Sequence, residues 1–522
     1  MYLLSLKKIN QTFLLILFCI SSSCKTRAQA DAPSLLYTVS VPQSVNHTFH
    51  VSLQTGGLSQ DTLSFKMPKW TPGYYQLLNF GNAVENMEAK DSHGGILSIK
   101  KSNDNTWTIS GIKKKIFNLS YDIKAEKQFV AQSYVDSTHA YLVPAGIFLY
   151  ADGYLQIPTR IKMELNKRWK IATGLQIADR NVNEFIVSDF DNLYDCPILM
   201  GDLEELPSFH VHGIEHRFIG YKIGTFDRQQ FMKNLKGVVE ASVAIMGDIP
   251  YKIYTFIGIG PGRGGIEHLN NTTFAFSGND LHSPETMNRM MNFLAHEYFH
   301  HYNVKRIRPL ELGPFDYDRG SKTNLLWVSE GLSVYYEYLV VKRAGIADEQ
   351  TLYSDFEKNI NATENNPGRF FQSLAQASYQ TWSDGPFGTQ GDAGKSISYY
   401  DKGPVVGLLL DFAIRHATQN NKSLDDVMRY LYWQYYKKMS RGFTDAEFEQ
   451  TCETVAGISL ASFFEYVYTT KELDYDTYLG YAGLKIESKA NEDLSKGKKF
   501  KIQRLEKMDA LQAAILKSWL GQ

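Results

Sequence analysis

The stretch HEYFH, residues 296–300, predicts a metal-binding helix and is the strongest chemical signal in the sequence. Ser283 is a good N-cap followed by Pro284, and an apolar run over residues 290–294 precedes the two histidines, so one helix is expected to begin there and to carry both. Because they are four positions apart, His296 and His300 project from one helix face and can bind one tetrahedral zinc ion. Glu297 would lie on the adjacent flank, where it can accept a proton from water activated at the metal. The alternative, from this pattern alone, is a capped surface helix with incidental histidines.

Two downstream motifs supply the other parts of a hydrolytic metal site. In WVSEG (327–331), which begins a helical run, Glu330 completes a His/His/Glu ligand set with one coordination position open, which predicts one zinc ion per chain. In YDKG (400–403), which opens another helix, the Tyr400 phenol could stabilise the oxyanion of a tetrahedral intermediate. The alternatives are an acid at a helix N-terminus for Glu330 and a core tyrosine for Tyr400, whose neighbour Tyr399 could take its role.

Several motifs together resemble the glycyl aminopeptidase family of gluzincin zinc metallopeptidases. They are HEYFHHYNVKRIRP (296–309) with WVSEG, GGIEH (264–268), SYYDKG (398–403) and PKWTPGYY (68–75). The resemblance extends over nearly all of residues 31–485. Family members often carry a PDZ domain after the catalytic region, but residues 486–522 are too few for one, so none is expected here.

The resemblance implies how GGIEH would bind a substrate. Gly264 and Gly265 belong to the family's substrate-binding glycine motif, and Glu267 would bind the free α-amino group beside the scissile bond. A carboxylate after a Gly-rich strand end, next to an acidic metal site, also suits a cationic amine, although Glu267 could be an ordinary strand-edge charge. Arg263 is bulky for this turn, so we expect a narrowed pocket.

The function that the resemblance implies is a zinc aminopeptidase that releases small N-terminal residues such as Gly or Ala from peptides. A zinc endopeptidase with the same metal site remains open, as does a peptide-binding protein with a structural zinc. Among neighbouring residues, His301 points about 100° away around the helix, which favours a packing role. Arg306 and Arg308 are expected to bind carboxylates structurally, with the carboxylate of a substrate as the alternative.

The chain is expected to be an α+β multidomain protein. Residues 31–200 contain short alternating runs separated by turns, typical of a β-rich domain, for example at 37–41, 48–53 and 117–121. Residues 201–485 predict a thermolysin-like catalytic domain with a helical lobe, and residues 486–522 a short C-terminal tail.

Residues 1–30 have the organisation of a signal peptide. Two lysines precede the apolar run FLLILFCI (13–20), which is too short to span a bilayer, and an A-x-A site ends at Ala30. SSSC (21–24) is a second candidate cleavage site that would leave Cys24 lipidated. We therefore expect an exported protein, periplasmic or extracellular, with a lipid anchor at Cys24 as the alternative to a free mature chain. A buried apolar strand is the structural alternative for this run.

Composition excludes several classes of protein. The 522 residues carry a formal net charge of −1 without a basic stripe, so nucleic acid is not an expected partner. No segment after the leader is apolar enough to span a membrane. Only Cys196 and Cys452 lie outside the leader, and two cysteines cannot build an all-Cys zinc site.

Overall fold

The computed structural model describes residues 33–41, 46–166, 168–178, 181–491 and 497–522. It confirms the predicted α+β multidomain class, because a β-rich region is followed by a mostly helical one. The predicted signal peptide, residues 1–30 with Cys24, lies outside the described residues. Within the described part, no helix combines the length and the apolar character that a membrane span needs.

Three sheets build the N-terminal region. Its elements are β1 Ser34–Ser40, β2 Thr48–Gly56, β3 Thr62–Lys66, β4 Val84–Asp91, β5 Ser98–Lys101, β6 Thr106–Ser110, β7 Phe117–Lys124, β8 Glu126–Phe129, β9 Gln132–Val135, β10 His139–Leu142, β11 Tyr150–Ala151, β12 Thr159–Glu164, β13 Lys170–Thr173, β14 Gln176–Ala178, β15 Asn181–Val187, helix α1 Phe190–Tyr194 and β16 Ile198–Gly201. Among the described residues, the strand orders are β14-β15-β12-β1-β2-β7-β4, β13-β16-β10-β9-β8 and β11-β3-β6-β5.

Alternating apolar residues explain why these segments form strands. In β1, Leu35, Tyr37 and Val39 are buried, and the residues between them are partly exposed. Such a period of two places all apolar side chains on one face, which packs into the core between the sheets. The antiparallel register pairs Val39 with Val51 of β2. The three segments predicted as strands from this alternation fall in β1, β2 and β7, so those predictions are confirmed.

Among the described residues, a fourth sheet, with both parallel and antiparallel strands, lies in the catalytic region. Its strands are β17 Glu204–Val211, β18 Ile214–Gly220, β19 Ile253–Gly258, β20 Gly265–Glu267 and β21 Asn271–Phe274. The order among the described residues is β17-β18-β19-β21-β20, with β18, β19 and β21 parallel and β20 antiparallel to β21. The GGIEH motif therefore occupies the edge strand of the sheet.

Helices form the rest of the catalytic region. They are α2 Arg228–Met246, α3 Pro284–Phe299, α4 Leu332–Arg343, α5 Glu349–Glu364, α6 Leu374–Tyr379, α7 Thr381–Asp384, α8 Tyr399–Ala417, α9 Leu424–Leu431, α10 Asp445–Ala456, α11 Ala461–Tyr468, α12 Tyr475–Gly480 and α13 Ala510–Trp519. A π-helical turn, Trp327–Gly331, leads directly into α4.

Helix α3 begins where its capping residues predict. The Ser283 side chain accepts a hydrogen bond from the Thr286 backbone N–H at 3.2 Å, and Pro284 occupies the first helical position. This arrangement satisfies a backbone donor that would otherwise lack a partner at the helix start. The predicted helix through the HEYFH stretch is therefore confirmed, with its last turn at Phe299 and His300 as the C-cap.

The C-terminal segment, expected to be a short tail, is folded against the helical lobe. The predicted boundary after residue 485 falls inside β22 (Leu484–Ala490), which pairs with β23 (Lys498–Arg504) in a hairpin. Helix α13 then buries Trp519, whose ring packs 5.2 Å from Phe412 and whose Nε1 donates to the Tyr335 hydroxyl at 3.2 Å. An amphipathic stretch with a tryptophan on its apolar face is stabilised by docking rather than by exposure to water.

Candidate functional site

Three predicted metal ligands meet in the interior of the helical lobe. His296 and His300 come from α3, Glu330 comes from the π-helical turn beside it, and all three are buried. One ligand atom from each lies within 4.8 Å of the other two. The two Nε2 atoms are 2.9 Å apart, and Glu330 Oε2 lies 3.5 Å from that of His296 and 3.2 Å from that of His300. Two imidazoles and one carboxylate are the ligand set of catalytic zinc sites.

The surroundings of the two imidazoles indicate that a cation belongs between them. His300 Nδ1 lies 2.8 Å from the Asn303 carbonyl oxygen, which can only accept, so this nitrogen carries the proton. His296 Nδ1 lies 2.9 Å from Glu337 Oε2, an ion-pair contact without hydrogen-bond alignment, and this carboxylate favours a proton on the same ring nitrogen. Both Nε2 lone pairs then face each other and the Glu330 carboxylate, which is unfavourable unless a metal ion or additional protons lie between them. The residues present therefore fit a zinc ion.

The same charges control protonation in the cluster. Burial lowers the pKa of His296, but the Glu330 and Glu337 carboxylates outweigh it and raise that pKa well above its ordinary value. Burial raises the pKa of Glu330, but the two histidines outweigh it and hold that pKa well below its ordinary value. Glu330 is therefore an anion, as a metal ligand must be.

Glu297 lies beside the cluster, against the edge strand. It is 5% exposed, and burial is the main reason why its pKa rises to about 7. A Cβ on Gly265 would lie 2.5 Å from Glu297 Oε1 and 2.8 Å from Phe293 Cζ, so only glycine fits there. Gly264 has a φ of +90°. The glycines of the edge strand thus allow its backbone to approach the Glu297 carboxylate closely.

Glu267, two residues further along the edge strand, is a buried carboxylate with one unused oxygen. It is 4% exposed, and its Oε1 has no hydrogen-bond partner within the described part of the chain. Lys305 Nζ is 3.9 Å from this atom but lies 2.8 Å from Asp195 Oδ1, in the N-terminal region. A Cβ on Gly73 would lie 2.9 Å from Glu267 Oε2 and 3.1 Å from Oε1, so the loop 68–75 packs against both oxygens of the carboxylate.

Tyr400, rather than Tyr399, reaches the metal cluster. The Tyr400 hydroxyl donates to Glu330 Oε2 at 2.8 Å, whereas the Tyr399 hydroxyl bonds to Thr381 Oγ1 at 3.0 Å. Helix α8 can approach the π-helical turn because two glycines meet there: a Cβ on Gly331 would lie 2.7 Å from Gly403 Cα. The YDKG and WVSEG motifs are therefore linked by backbone packing as well as by one hydrogen bond.

Three residues beside the cluster are absent from the set predicted from the sequence. Glu337 contacts His296, and the Asn303 carbonyl contacts His300. The Tyr75 hydroxyl lies near the Glu330 and Glu267 carboxylates. Burial and these two negative charges raise the pKa of Tyr75. An acid inside the apolar run LSVYYEYLVV (332–341) was a usable signal for Glu337. Tyr75 comes from the N-terminal region, and no local pattern could have placed it here.

The neighbouring residues agree with their predictions in part. His301 is buried against tyrosine rings, including Tyr298 and Tyr254, so its packing role is confirmed. The prediction that Arg306 binds carboxylates is wrong, because its guanidinium donates to the backbone carbonyls of Leu269, His301 and Pro250. A carbonyl-lined space suits the five donors of a guanidinium equally well. The Arg308 guanidinium packs against Gly313 and near the Asp191 charge.

Two family models match the chain. The model described as the Peptidase M61 N-terminal domain matches residues 36–202. The model described as M61 glycyl aminopeptidase matches residues 289–406, which include HEYFH, WVSEG and the start of α8. A search of curated proteins returned no significant match.

Solved structures with a similar fold include proteins described as peptidases. An aminopeptidase N family protein from Idiomarina loihiensis is 25% identical, with a TM-score of 0.83 over 88% of this chain and 80% of that one. An M1 zinc metallopeptidase from Deinococcus radiodurans is 13% identical, with a TM-score of 0.51 over 85% of this chain and 95% of that one. A mutant of the latter bound to a Tyr-Ser-Ala substrate is 14% identical, with a TM-score of 0.50 and the same coverage. The fold predicted from the sequence, a β-rich N-terminal domain followed by a thermolysin-like catalytic domain with a helical lobe, is confirmed.

Proposed function

We propose that this chain, which belongs to the M61 family of peptidases, is a zinc-dependent aminopeptidase that releases small N-terminal residues such as glycine or alanine from peptides. Membership of the family makes the chain a metallopeptidase. The identity of the metal, the requirement for a free α-amine and the preference for a small first residue are the proposed parts. A zinc endopeptidase and a peptide-binding protein with a structural zinc are the competing functions.

The unused oxygen of Glu267 is the observation that carries the proposal. A buried carboxylate oxygen without a hydrogen bond is costly, by about 1–3 kcal/mol or more for a charged group. An α-ammonium group is the ligand that would offset this cost, because it is cationic and donates three hydrogen bonds. Gly265 lies against the Glu297 carboxylate of α3 and is two residues before Glu267 in β20, so an amine bound at Glu267 would place the first peptide bond near Glu297.

The residues around the scissile bond have distinct proposed roles. Zinc bound by His296, His300 and Glu330 would polarise the carbonyl and acidify a water molecule. Glu297, with a pKa of about 7, is suited to take the proton of that water and to pass it to the leaving amine. The Tyr400 hydroxyl has one proton, which it donates to Glu330 in this structure, and it would turn that proton to the developing oxyanion.

Crowding around Glu267 supports the proposed preference for small first residues. Gly73 packs against its carboxylate, and the Tyr75 hydroxyl lies close enough to Glu267 and Glu330 for both charges to raise its pKa. The side chain of a residue whose amine binds Glu267 would have to fit beside these two residues. Glycine and alanine need the least space there.

The proposed location is the periplasm or the extracellular space, on the basis of the signal-peptide organisation of residues 1–30. Mass spectrometry of the N-terminal peptide after export tests this. A chain that begins at Asp31 would indicate ordinary cleavage, a diacylated Cys24 would indicate a lipid anchor, and an intact Met1 in the cytoplasm would contradict export.

A kinetic comparison tests the proposed function. The zinc-loaded protein and its Glu267→Gln variant are assayed with Gly- and Ala-anilides and with N-acetylated peptides of matched sequence. We expect cleavage of the free-amine substrates only, with kcat/KM reduced at least about tenfold in the variant because an ion pair is lost. Equal cleavage of blocked peptides would make the protein an endopeptidase. Absence of cleavage with zinc bound would favour the binding protein.

A further inference from the structure

A cavity of about 230 Å³ lies at the end of the edge strand, away from Glu267. One side is the glycine-rich turn 260–263, which leads into Gly264 and β20. The other side is the hairpin of β8 and β9 with the start of β10, from the N-terminal region. The two sides meet where Val130 Cγ2 comes within 3.4 Å of a Cβ placed on Gly264.

The geometry of the proposed site points a bound peptide towards this cavity. If the α-amine is held by Glu267 and the first carbonyl lies beside Glu297, the peptide passes Gly265 on leaving the metal. The following residues then run antiparallel to β20, towards Gly264 and the turn. Extended chains advance about 3.3 Å per residue, so the third substrate residue reaches the position of the turn.

Aromatic rings line the cavity. His139 is stacked on Tyr221, with ring centroids 3.9 Å apart, and the Tyr134 ring centroid lies 5.3 Å from that of His139. Phe129 and Tyr141 complete the aromatic part of the lining. Rings in such positions favour an aromatic or large apolar side chain, which can stack on them or meet their edges.

Charge around the cavity disfavours a basic side chain. Arg263 and Lys222 are exposed at its rim. Asp136 is the acid in the lining, and its Oδ1 already accepts from the backbone N–H groups of Thr138 and His139, at 2.7 and 2.9 Å. An incoming lysine or arginine would therefore meet two cations and a carboxylate that is already hydrogen-bonded.

We propose that this cavity is a substrate subsite, which binds an aromatic side chain at the third position of the peptide. Its volume is smaller than that of pockets for whole drug-sized ligands, about 300 Å³ and above, and suits one large side chain. The inference rests on the proposed aminopeptidase function, because the position of the bound α-amine determines which residue of the substrate reaches the cavity.

The test uses the zinc-loaded protein and three tetrapeptides, Gly-Ala-Phe-Ala, Gly-Ala-Ala-Ala and Gly-Ala-Arg-Ala. Release of glycine is followed, and kcat/KM values are compared within each protein variant, so that a general loss of activity cancels. Burial of an aromatic ring predicts that the Phe peptide is preferred over the Ala peptide by about tenfold or more. The Arg peptide should be the poorest of the three.

Two substitutions alter the cavity in opposite ways. Tyr134→Ala removes part of the aromatic wall, and Ala275→Leu fills the space from a residue in its lining. Both should bring the Phe/Ala ratio to within about twofold of one. Tyr134→Phe keeps the ring and should keep the ratio. Tyr154→Ala, at a half-buried tyrosine of the same region that bonds to Gln60 at 2.7 Å, is the matched control and should leave the ratio unchanged.

The outcomes separate this inference from the function on which it rests. Gly-anilide has no third residue, so its cleavage tests the aminopeptidase proposal alone. Cleavage of Gly-anilide with a wild-type Phe/Ala ratio near one, or with a preference that survives both cavity variants, would overturn the subsite only. Failure to cleave any free-amine substrate with zinc bound would overturn the proposed function and the subsite with it.

Discussion

The metal half of the site comes from two adjacent helical segments, whereas the amine half depends on contacts between distant parts of the chain. The metal half consists of His296, Glu297, His300 and Glu330, on α3 and the π-helical turn. The amine half consists of Glu267 with Gly73, Lys305 and Asp195. Helix periodicity alone brings the two histidines together. The amine half forms only when the N-terminal sheets dock on the catalytic region.

The docking that builds the amine half can be identified. Trp70 Nε1 donates to the Asp316 carbonyl at 2.7 Å, and the Lys69 backbone N–H donates to the Tyr317 carbonyl at 2.9 Å. The Trp70 ring also packs against Phe315 and Trp382. These contacts hold the loop 68–75 over the edge strand. The comparison therefore predicts that substitutions in the metal half mainly lower kcat, while those in the amine half mainly raise KM.

The largest effect is expected for Glu297→Gln, in the metal half. Glutamine keeps the size of the side chain but cannot accept the proton of the attacking water, so kcat for Gly-anilide should fall at least about 10³-fold. Zinc content, measured by mass spectrometry of the purified variant, should stay at one per chain because Glu297 is not a proposed ligand. A variant that keeps a tenth of the wild-type kcat would show that another group is the base.

A second prediction concerns Glu337→Gln, which removes the negative charge beside the proposed metal ligand His296. Glu337 Oε2 lies 2.9 Å from His296 Nδ1, and its loss should weaken zinc binding by about 10–100-fold in a chelator competition. Once the variant is saturated with zinc, activity should largely return. Asp355→Asn is the control, because Asp355 is a buried acid of the same lobe that bonds to Asn292 and Lys358 rather than contacting His296. Equal loss of affinity in both variants would contradict the specific role of Glu337.

The elements that could be predicted from the sequence are those with local signals. Alternation located β1, β2 and β7, and the Ser283-Pro284 cap located the start of α3, because each depends on neighbours in the sequence. The docking of α13 in the C-terminal segment could not be predicted, because it depends on Phe412 and Tyr335, which are distant in sequence.

The site follows the same rule. His296 and His300 follow from their spacing, and Glu330 and Tyr400 from motifs that open helices, and the structure brings all four together. Tyr75 and Asp195 could not be predicted, because they reach the site through contacts between regions that sequence patterns do not encode. Arg306 was assigned the wrong partners, since a guanidinium can be satisfied by carbonyl oxygens as well as by carboxylates.

A smaller effect, about tenfold in kcat/KM, is expected for Gly73→Ala in the amine half. Gly73 has a φ of +91°, and a Cβ there would lie 2.7 Å from Ile266 Cγ2 and 2.9 Å from Glu267 Oε2. The methyl group should displace Glu267 and raise KM for free-amine substrates. Gly94→Ala is matched in backbone conformation (φ +83°) but has no atom within 4 Å of the new Cβ. Similar losses in both variants would mean that backbone strain alone is responsible.

The smallest effect, a rise in KM of about fivefold (about 1 kcal/mol), is expected for Asp195→Asn. Asp195 now neutralises Lys305, whose Nζ is 2.8 Å from Asp195 Oδ1 and 3.9 Å from Glu267 Oε1. Without the Asp195 charge, the lysine should pair with Glu267 and compete with the substrate ammonium, while kcat changes little. The measurement is the KM for Gly-anilide at saturating zinc.

The double variant Asp195→Asn/Lys305→Met decides whether the competition is real. Methionine removes the competing ammonium but keeps most of the volume of the side chain, so KM should return towards the wild-type value. If Asp195 only holds the two regions together, the double variant should bind substrate no better than the single one. A restored KM would mean that Asp195 keeps the negative charge of Glu267 available to the substrate amine. The N-terminal region would then control substrate binding through one aspartate that contacts neither the metal ligands nor the proposed base.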